Sequence, residues 1–465
     1  MIKFFFDVTS LRSYIKRHSK LSGIQRVSVM TIACACKNVG ASNVWLAYHQ
    51  RVTNSYKTYQ FPIDGTYDLT DYATLCDVLH VRASLRTLPK MEKYAKRPIT
   101  RRWHVLKRDL NAHLGKETFF KRKGLSMEDW KTARSKSTNA YKMFSTVKLT
   151  DVARPDDRLI ILDIAWQSKR LEPSLKYATN TLGVKVWALL HDLIPLVTPH
   201  YVENATCHRF YDKLLHSTDY VTCYLANSEN TGRDLRTFLN LNNAWQPVKI
   251  VPLAQSKISD AAQGMIQSNA YPGFIEGMKV PDAIGALTKT PYVLVVGTME
   301  VRKNLWQLAT VWDRLRMQSG RKLPKIVFAG RRGWLNDDFD ALMTATGQLG
   351  GWAEIVEEPD DAALSYLYRY CLFTVTVSFY EGWGLPIGES LAYGKTAVVS
   401  NTSSMPEVGG DMVEYCDPHS LDDIEAACLK LIDDPGHRQA LEARIRSARL
   451  RSWDDVAADI FAAIV

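Results

Sequence analysis

Residues 378–395 read SFYEGWGLPIGESLAYGK, and the apolar, β-branched run CLFTVTVS at 371–378 leads into them. That run reads as a buried parallel strand. Gly382, Gly384 and Gly388 then build a tight turn. Pro386 falls where a helix is expected to begin, a place that suits its fixed φ and missing N–H. Strand, glycine turn and helix is how an α/β protein turns backbone N–H groups toward a phosphate. Glu381 and Glu389 flank the turn, and two carboxylates there suit the hydroxyls of a sugar or a ribose. The stretch predicts a nucleotide-sugar site.

A second stretch, YVLVVGTMEVRKNLWQLATVWDRL at 292–315, repeats the pattern around Gly297, with Arg302 and Lys303 just ahead of the helix. Alone, such a pair would be an exposed basic helix start; beside the first stretch it suits a diphosphate. Outward from these, apolar runs near 2–7, 44–48, 159–165, 184–190, 220–226 and 248–252 predict one series of strands. Runs near 292–297, 325–330, 353–357, 371–377, 396–400 and 412–416 predict another. Helical patterns between them argue for parallel sheets of βαβ units. A chain of 465 residues is too long for one ordinary core, so two α/β domains are expected. The weakly periodic stretch 255–290 reads as their connection, and 419–465 reads as helical.

The composition, 46% apolar and 23% charged, is that of a soluble globular protein. No apolar run approaches the roughly 18–20 residues that a membrane span needs. MIKFFFDVTS at the start reads as a first strand rather than a signal peptide. The eight cysteines form no CxxC and sit mostly in apolar runs, as buried thiols of a cytosolic protein do. Charge is uneven: between Arg82 and Lys136 stand 17 Lys/Arg against 5 Asp/Glu, a net of +12. The whole chain carries +10, so the rest is slightly acidic. With no nucleic-acid-binding signature, the basicity belongs to one insertion, about 82–150, with helical pieces near 103–114 and 126–135. Its cations interleave with Trp103, Phe119, Phe120 and Trp130. Two readings stay open for it: an anionic membrane surface, or packing on the N-terminal domain.

Together these stretches resemble the retaining glycosyltransferases of the GT-B fold, glycosyltransferase family 4. Glu381 to Glu389 matches the family's E-x7-E motif, and GTMEVRKN at 297–304 its diphosphate motif. LSGIQRV at 21–27, HDLIPLVTPHY at 191–201 and ANSENTGRDL at 226–235 look like the bacterial polysaccharide branch, and SSMPEVGG at 403–410 the turn after the E-x7-E helix.

The resemblance implies an α/β, GT-B architecture: two Rossmann-like domains facing across a cleft, with the basic helical insertion in the first. An acceptor-binding domain would span 1–255, a connection 256–290 and a donor-binding domain 291–440. A C-terminal helix, 441–465, would cross back to the first domain. It further implies catalytic roles for Glu381 at the transferred sugar's hydroxyls, Arg302 and Lys303 at the diphosphate, and His191 approaching the sugar. Glu389 would hold the ribose, with Gly297, Gly382, Gly384 and Leu385 completing the donor site. Gly23, in the loop after the first strand, and Asp192 would lie on the acceptor side.

The implied reaction moves a hexosyl group, mannose from GDP-mannose first, onto a growing, lipid-linked surface polysaccharide, with no metal or other cofactor. The protein would be cytoplasmic, peripheral on the inner face of the plasma membrane. Rivals are a GT-B nucleotide-sugar 2-epimerase and a non-catalytic glycan-binding protein. Asp338 and Asp340 spell a DxD, but at a helix start, where acids favour the dipole without a metal. Arg331, Arg332 and Trp334 read as surface, Ser228 as a helix cap, and Glu381→Ala is expected to spare the fold.

Overall fold

A computed structural model describes residues 2–18, 21–50, 53–61, 69, 72–81, 88–91, 94, 97–138, 145–163, 171–258, 282–318 and 322–464. The chain divides into two compact units, Met1–Val186 and Trp187–Val465.

In the first unit, β1 (Phe4–Asp7), α1 (Gly23–Val39), β2 (Val44–Gln50), β3 (Ser55–Gln60), α2 (Pro98–His113), α3 (Glu117–Lys121), α4 (Met127–Thr138), β4 (Val147–Lys148) and β5 (Arg158–Ile161) follow in order. The strands lie side by side as β4-β3-β2-β1-β5. β1 pairs in parallel with β2 and β5, whereas β3 runs antiparallel to β2 and β4. β3 and β4 were not expected from the sequence. The polar run SYKTYQ hides β3, because its buried residues Tyr56, Thr58 and Tyr59 carry hydroxyls. The expected helical pieces of the insertion appear as α2 and α4, with α3 between them. They close on a small core of their own around Leu88, Met91, Val105, Phe120 and Trp130.

The division between units falls inside β6 (Lys185–Leu190). The second unit continues through β7 (Cys223–Ala226), α5 (Glu229–Leu241), β8 (Val248–Ile250), β9 (Tyr292–Val296), α6 (Leu305–Arg316), β10 (Lys325–Gly330), α7 (Asp337–Ala345), β11 (Ala353–Glu357) and β12 (Thr374–Thr376). It ends with α8 (Leu385–Ala392), β13 (Ala397–Ser400), β14 (Glu414–Cys416), α9 (Leu421–Asp433), α10 (Pro435–Ser447) and α11 (Trp453–Ile464). β6, β7 and β8 pair in parallel. The remaining strands form a six-stranded parallel sheet ordered β11-β10-β9-β12-β13-β14.

This sheet is buried on both faces. Val293, Val295, Phe328 and Val375 pack on one side with Trp312 of α6, and Tyr292, Leu294 and Val327 on the other with Leu367 and Tyr368. Double burial makes the central strands mainly apolar and β-branched, and each large side chain buried contributes about 1.5–3 kcal/mol. The compact division comes well before the connection expected at 256–290, because residues from 187 onward bond directly to the six-stranded half. Lys249 Nζ, for example, donates to the Ala463 carbonyl of α11 at 2.8 Å. Residues 259–281 of that connection lie outside the described residues. Cys34, Cys76, Cys207, Cys223, Cys371, Cys416 and Cys428 are buried free thiols. No helix among the described residues is long and apolar enough to cross a membrane.

Candidate functional site

Numbered from β9, the six strands run 3-2-1-4-5-6, so connection direction reverses between β9 and β12. In such sheets ligands bind beyond the carboxyl ends of the strands at that reversal. Gly297 follows β9 and Ser378 follows β12, and both line a small pocket there with Thr298 and Lys303. Gly297 has φ +144°, and a Cβ on Gly330 would stand 1.8 Å from its carbonyl oxygen, so both chain exits run close without side chains.

After Gly297 the chain makes a short 3-10 turn, Val301–Lys303, and Asn304 at φ +58° opens α6. The Arg302 carbonyl accepts from Phe379 N at 2.9 Å, joining the two glycine-turn stretches through their main chains. Their side chains meet at Glu381. Arg302 Nη1 lies 2.9 Å from its Oε2, and Lys303 Nζ lies 2.5 Å from its Oε1. Arg302 also reaches Glu300 Oε1 at 2.5 Å and donates to the Tyr380 carbonyl. All four ionisable side chains are at least 86% buried. Burial alone would push the Glu381 carboxyl up, but Arg302 and Lys303, with a hydrogen bond from Lys303, hold it down at about 2. Glu381 is therefore ionised at neutral pH.

The 403–410 stretch clamps this turn. Glu381 N donates to Ser403 Oγ at 2.9 Å, and Ser404 Oγ donates to the carbonyls of Glu381 and Trp383. Gly384 caps α8 at φ +105°, leaving Leu385 as its first residue and Pro386 as its second. A helix start leaves its first N–H groups without helical partners, here beside the Glu381 turn. Glu389 is the fifth residue of α8, past its first turn, so helix-dipole stabilisation does not explain it. It stands apart from the Glu381 cluster: the Tyr368 hydroxyl donates to its Oε2 at 2.8 Å, and both residues are buried.

His191 and Asp192, just past β6, reach the same place. A Cβ on Gly382 would stand 1.9 Å from the His191 carbonyl oxygen and 2.8 Å from Asp192 Cβ. Asp192 accepts from Ile194 N at 3.1 Å. Burial raises its carboxyl above the ordinary value, against the pull of Arg302 and the Ile194 amide. Gly23 belongs to the first unit, where it is the first residue of α1 rather than part of a loop.

Several residues of this neighbourhood escaped the sequence reading. Glu300 and Tyr380 lie inside the two quoted stretches, which was their only signal. The Tyr380 hydroxyl donates to Asp234 and accepts from Asn230 Nδ2, tying the turn to α5. Glu407 of SSMPEVGG accepts from the backbone N–H groups of Glu229 and Asn230 at 2.7 and 2.9 Å, so a carboxylate sits on the N-terminus of α5. Ser228 is the side-chain cap expected there, accepting from Thr231 N at 3.0 Å. Tyr201 stacks on Phe379 with centroids 5.2 Å apart, and Phe379 on His419. Arg332 pairs with Asp340 and Glu357, while the Trp334 indole donates to the Tyr201 carbonyl at 3.1 Å. Trp334 is thus half-exposed but anchored. Asp338 and Asp340 lie in the first turn of α7, as expected.

Residues 279–448 match the family of glycosyl transferases group 1. Over 165 residues the chain is 37% identical to the O-antigen chain mannosyltransferase B of Escherichia coli, covering 35% of this chain and 43% of that one. Over 276 residues it is 22% identical to the serotype-specific mannosyltransferase WbdA of Escherichia coli, covering 59% of this chain and 32% of that one. The chain thus spans less than half the length of these curated relatives. Among solved structures, Anabaena HepE in complex with UDP and glucose superposes with a TM-score of 0.57 at 12% identity, over 100% of this chain and 99% of that one. Sucrose-phosphate synthase from Thermosynechococcus elongatus gives 0.55 at 14% identity, over 99% and 98%. The fold is GT-B, with two Rossmann-like domains, and its second half, residues 279–448, carries the similarity to group 1 glycosyl transferases.

Proposed function

We propose that this protein is a retaining glycosyltransferase that moves a hexosyl group from a nucleoside diphosphate sugar to a growing, lipid-linked surface polysaccharide. The observation that carries this is the Glu381 carboxylate, held ionised between Arg302 and Lys303 at the strand-order reversal and beside the start of α8. Cleaving the sugar–phosphate bond develops positive charge at the anomeric carbon and negative charge on the departing diphosphate. Arg302 and Lys303 are already fixed in place by Glu381, Glu300 and the Tyr380 carbonyl. Preorganised cations stabilise the leaving group without reorganising when it departs, and the α8 N-terminus adds to them. No metal is assigned to that task.

Glu381, ionised and acceptor-only, receives hydrogen bonds from the sugar hydroxyls while sharing its two cations with the diphosphate. Glu389, oriented by Tyr368, takes the ribose. The acceptor hydroxyl attacks from the leaving-group side and the phosphate takes its proton, so no side-chain base is assigned. His191 and Asp192 border the sugar from the acceptor side, residues 1–255 serve the acceptor and 291–440 the donor. GDP-mannose is the preferred donor, since the relatives reported above are named mannosyltransferases. A basic, partly apolar insertion suits work at the inner face of a plasma membrane.

Incubation with labelled GDP-mannose, UDP-glucose and dTDP-sugars plus a lipid-linked oligosaccharide tests this. Mannose transfer with the α-configuration kept is expected. Epimer formation without acceptor, or binding without turnover, refutes it.

A further inference from the structure

We infer that one face of α2 is the surface by which this protein lies on an anionic lipid bilayer. This deepens the membrane-facing part of the proposed function and rests on it. One side of α2 faces the insertion's own core: Arg101, Val105, Arg108 and Ala112 are buried, Arg108 lying over the Trp130 ring at 5.0 Å. The other side is an open apolar stripe. Ile99, Trp103, Leu106 and Leu110, with Leu114 just past the helix end, are between 55% and 84% exposed. At 3.6 residues per turn, positions 99, 103, 106, 110 and 114 fall within one arc of about 80°.

The charges complete the pattern. Arg102 and Lys107 are exposed and flank the stripe on opposite sides, roughly 60–80° from its centre. Lys107 Nζ lies 4.9 Å from the Trp103 ring centroid. Asp109 is the only acid in α2, and it is held by Trp130 Nε1 at 3.0 Å and by Arg134 at 2.6 Å. Lys116, Arg122, Lys123 and Lys131 add exposed cations on the following helices and turns. An apolar stripe centred on a Trp and edged by cations is what lets a helix lie in the lipid headgroup plane. α2 is about 24 Å long, too short to cross the roughly 30 Å hydrocarbon core, so it lies flat. A second copy is the poorer occupant: pairing two such helices sets cations against cations on both flanks, with no row of acids to meet them.

The test is cosedimentation of the full chain with phosphatidylcholine vesicles, with or without phosphatidylglycerol, alongside size-exclusion light scattering. The variants are Trp103→Ser with Leu106→Ser, and Arg102→Glu with Lys107→Glu. Wild type is expected to bind only the anionic vesicles, and each double variant to lose about tenfold or more of the bound fraction. Absence of binding, equal binding to neutral vesicles, undiminished binding of the variants, or a dimer that the apolar variant breaks each overturns the inference. Mannose transfer to a short water-soluble acceptor separates the two claims. It should be the same in wild type and both variants, whereas no transfer by any of them, with stripe-dependent vesicle binding intact, sinks the enzymatic claim and leaves the surface standing.

Discussion

Glu381 sits between two buried cations, and that setting revises one expectation. Taking a carboxylate out from between two buried cations is not neutral for the fold, because both lose their shared partner. Removing one member of a buried ion pair costs about 3–5 kcal/mol, so Glu381→Ala is expected to abolish transfer and also to lower unfolding stability by about 3 kcal/mol in urea. A stability change below about 1 kcal/mol would contradict the ion cluster. The sign of the pH dependence follows. The Glu381 carboxyl lies at about 2 in the folded chain against its ordinary 4.5. Its stabilisation is therefore complete above about pH 5 and is lost as pH falls toward 2. Glu381→Gln should flatten the stability–pH curve across that window, measured as urea midpoints from pH 6 to 2.5. Gly382 makes a purely steric prediction. A methyl there would overlap the His191 carbonyl, so Gly382→Ala should lower stability by about 2 kcal/mol or more and weaken donor binding by calorimetry. An unperturbed variant would mean that the 191–192 segment and the turn do not touch.

At the scale of elements, the parallel strands were legible because burial makes them, or the runs that hold them, predominantly apolar and β-branched. β9, β10 and β13 are mostly aliphatic or aromatic, β12 is a Thr-Val-Thr core inside the longer run CLFTVTV, and each was placed within a few residues. β3 was invisible for the opposite reason: its buried positions are Tyr and Thr, and its pairing with β2 is antiparallel. Of the site, Glu381, Arg302 and Lys303 could be read as one group, since each sits at a fixed offset from a glycine turn. Links between distant stretches could not. Nothing in SSMPEVGG announces that Glu407 takes two N–H groups of α5, 177 residues earlier in the chain. A carboxylate on a helix start is worth about 0.5–2 kcal/mol, so Glu407→Ala should cost about 1 kcal/mol, read by chemical denaturation. Glu407→Gln should recover part of it, as its one carbonyl oxygen still accepts from one of the two N–H groups while its NH2 cannot accept from the other. Equal loss in both variants would mean that charge alone matters there.

For the whole molecule, donor chemistry should appear as stability. A ligand bound only by the folded chain at a hundred times its Kd stabilises by about 2.7 kcal/mol, so GDP-mannose should raise the melting temperature more than UDP-, dTDP- or CMP-sugars. EDTA should leave transfer within about twofold of its starting rate, the diphosphate charge being met by Arg302, Lys303 and a helix end. A loss restored by a divalent cation would show that these are insufficient. Among the described side chains, seven thiols are buried, and they have a further use. In the native chain a maleimide meets none of them readily, so alkylation must wait for a local opening. Cys34 and Cys76 lie in one compact unit, and Cys207, Cys223, Cys371, Cys416 and Cys428 in the other. Peptide mapping of a labelling time course would thus give two clocks in one tube, one for each unit. Adding donor sugar should slow the second clock and leave the first running.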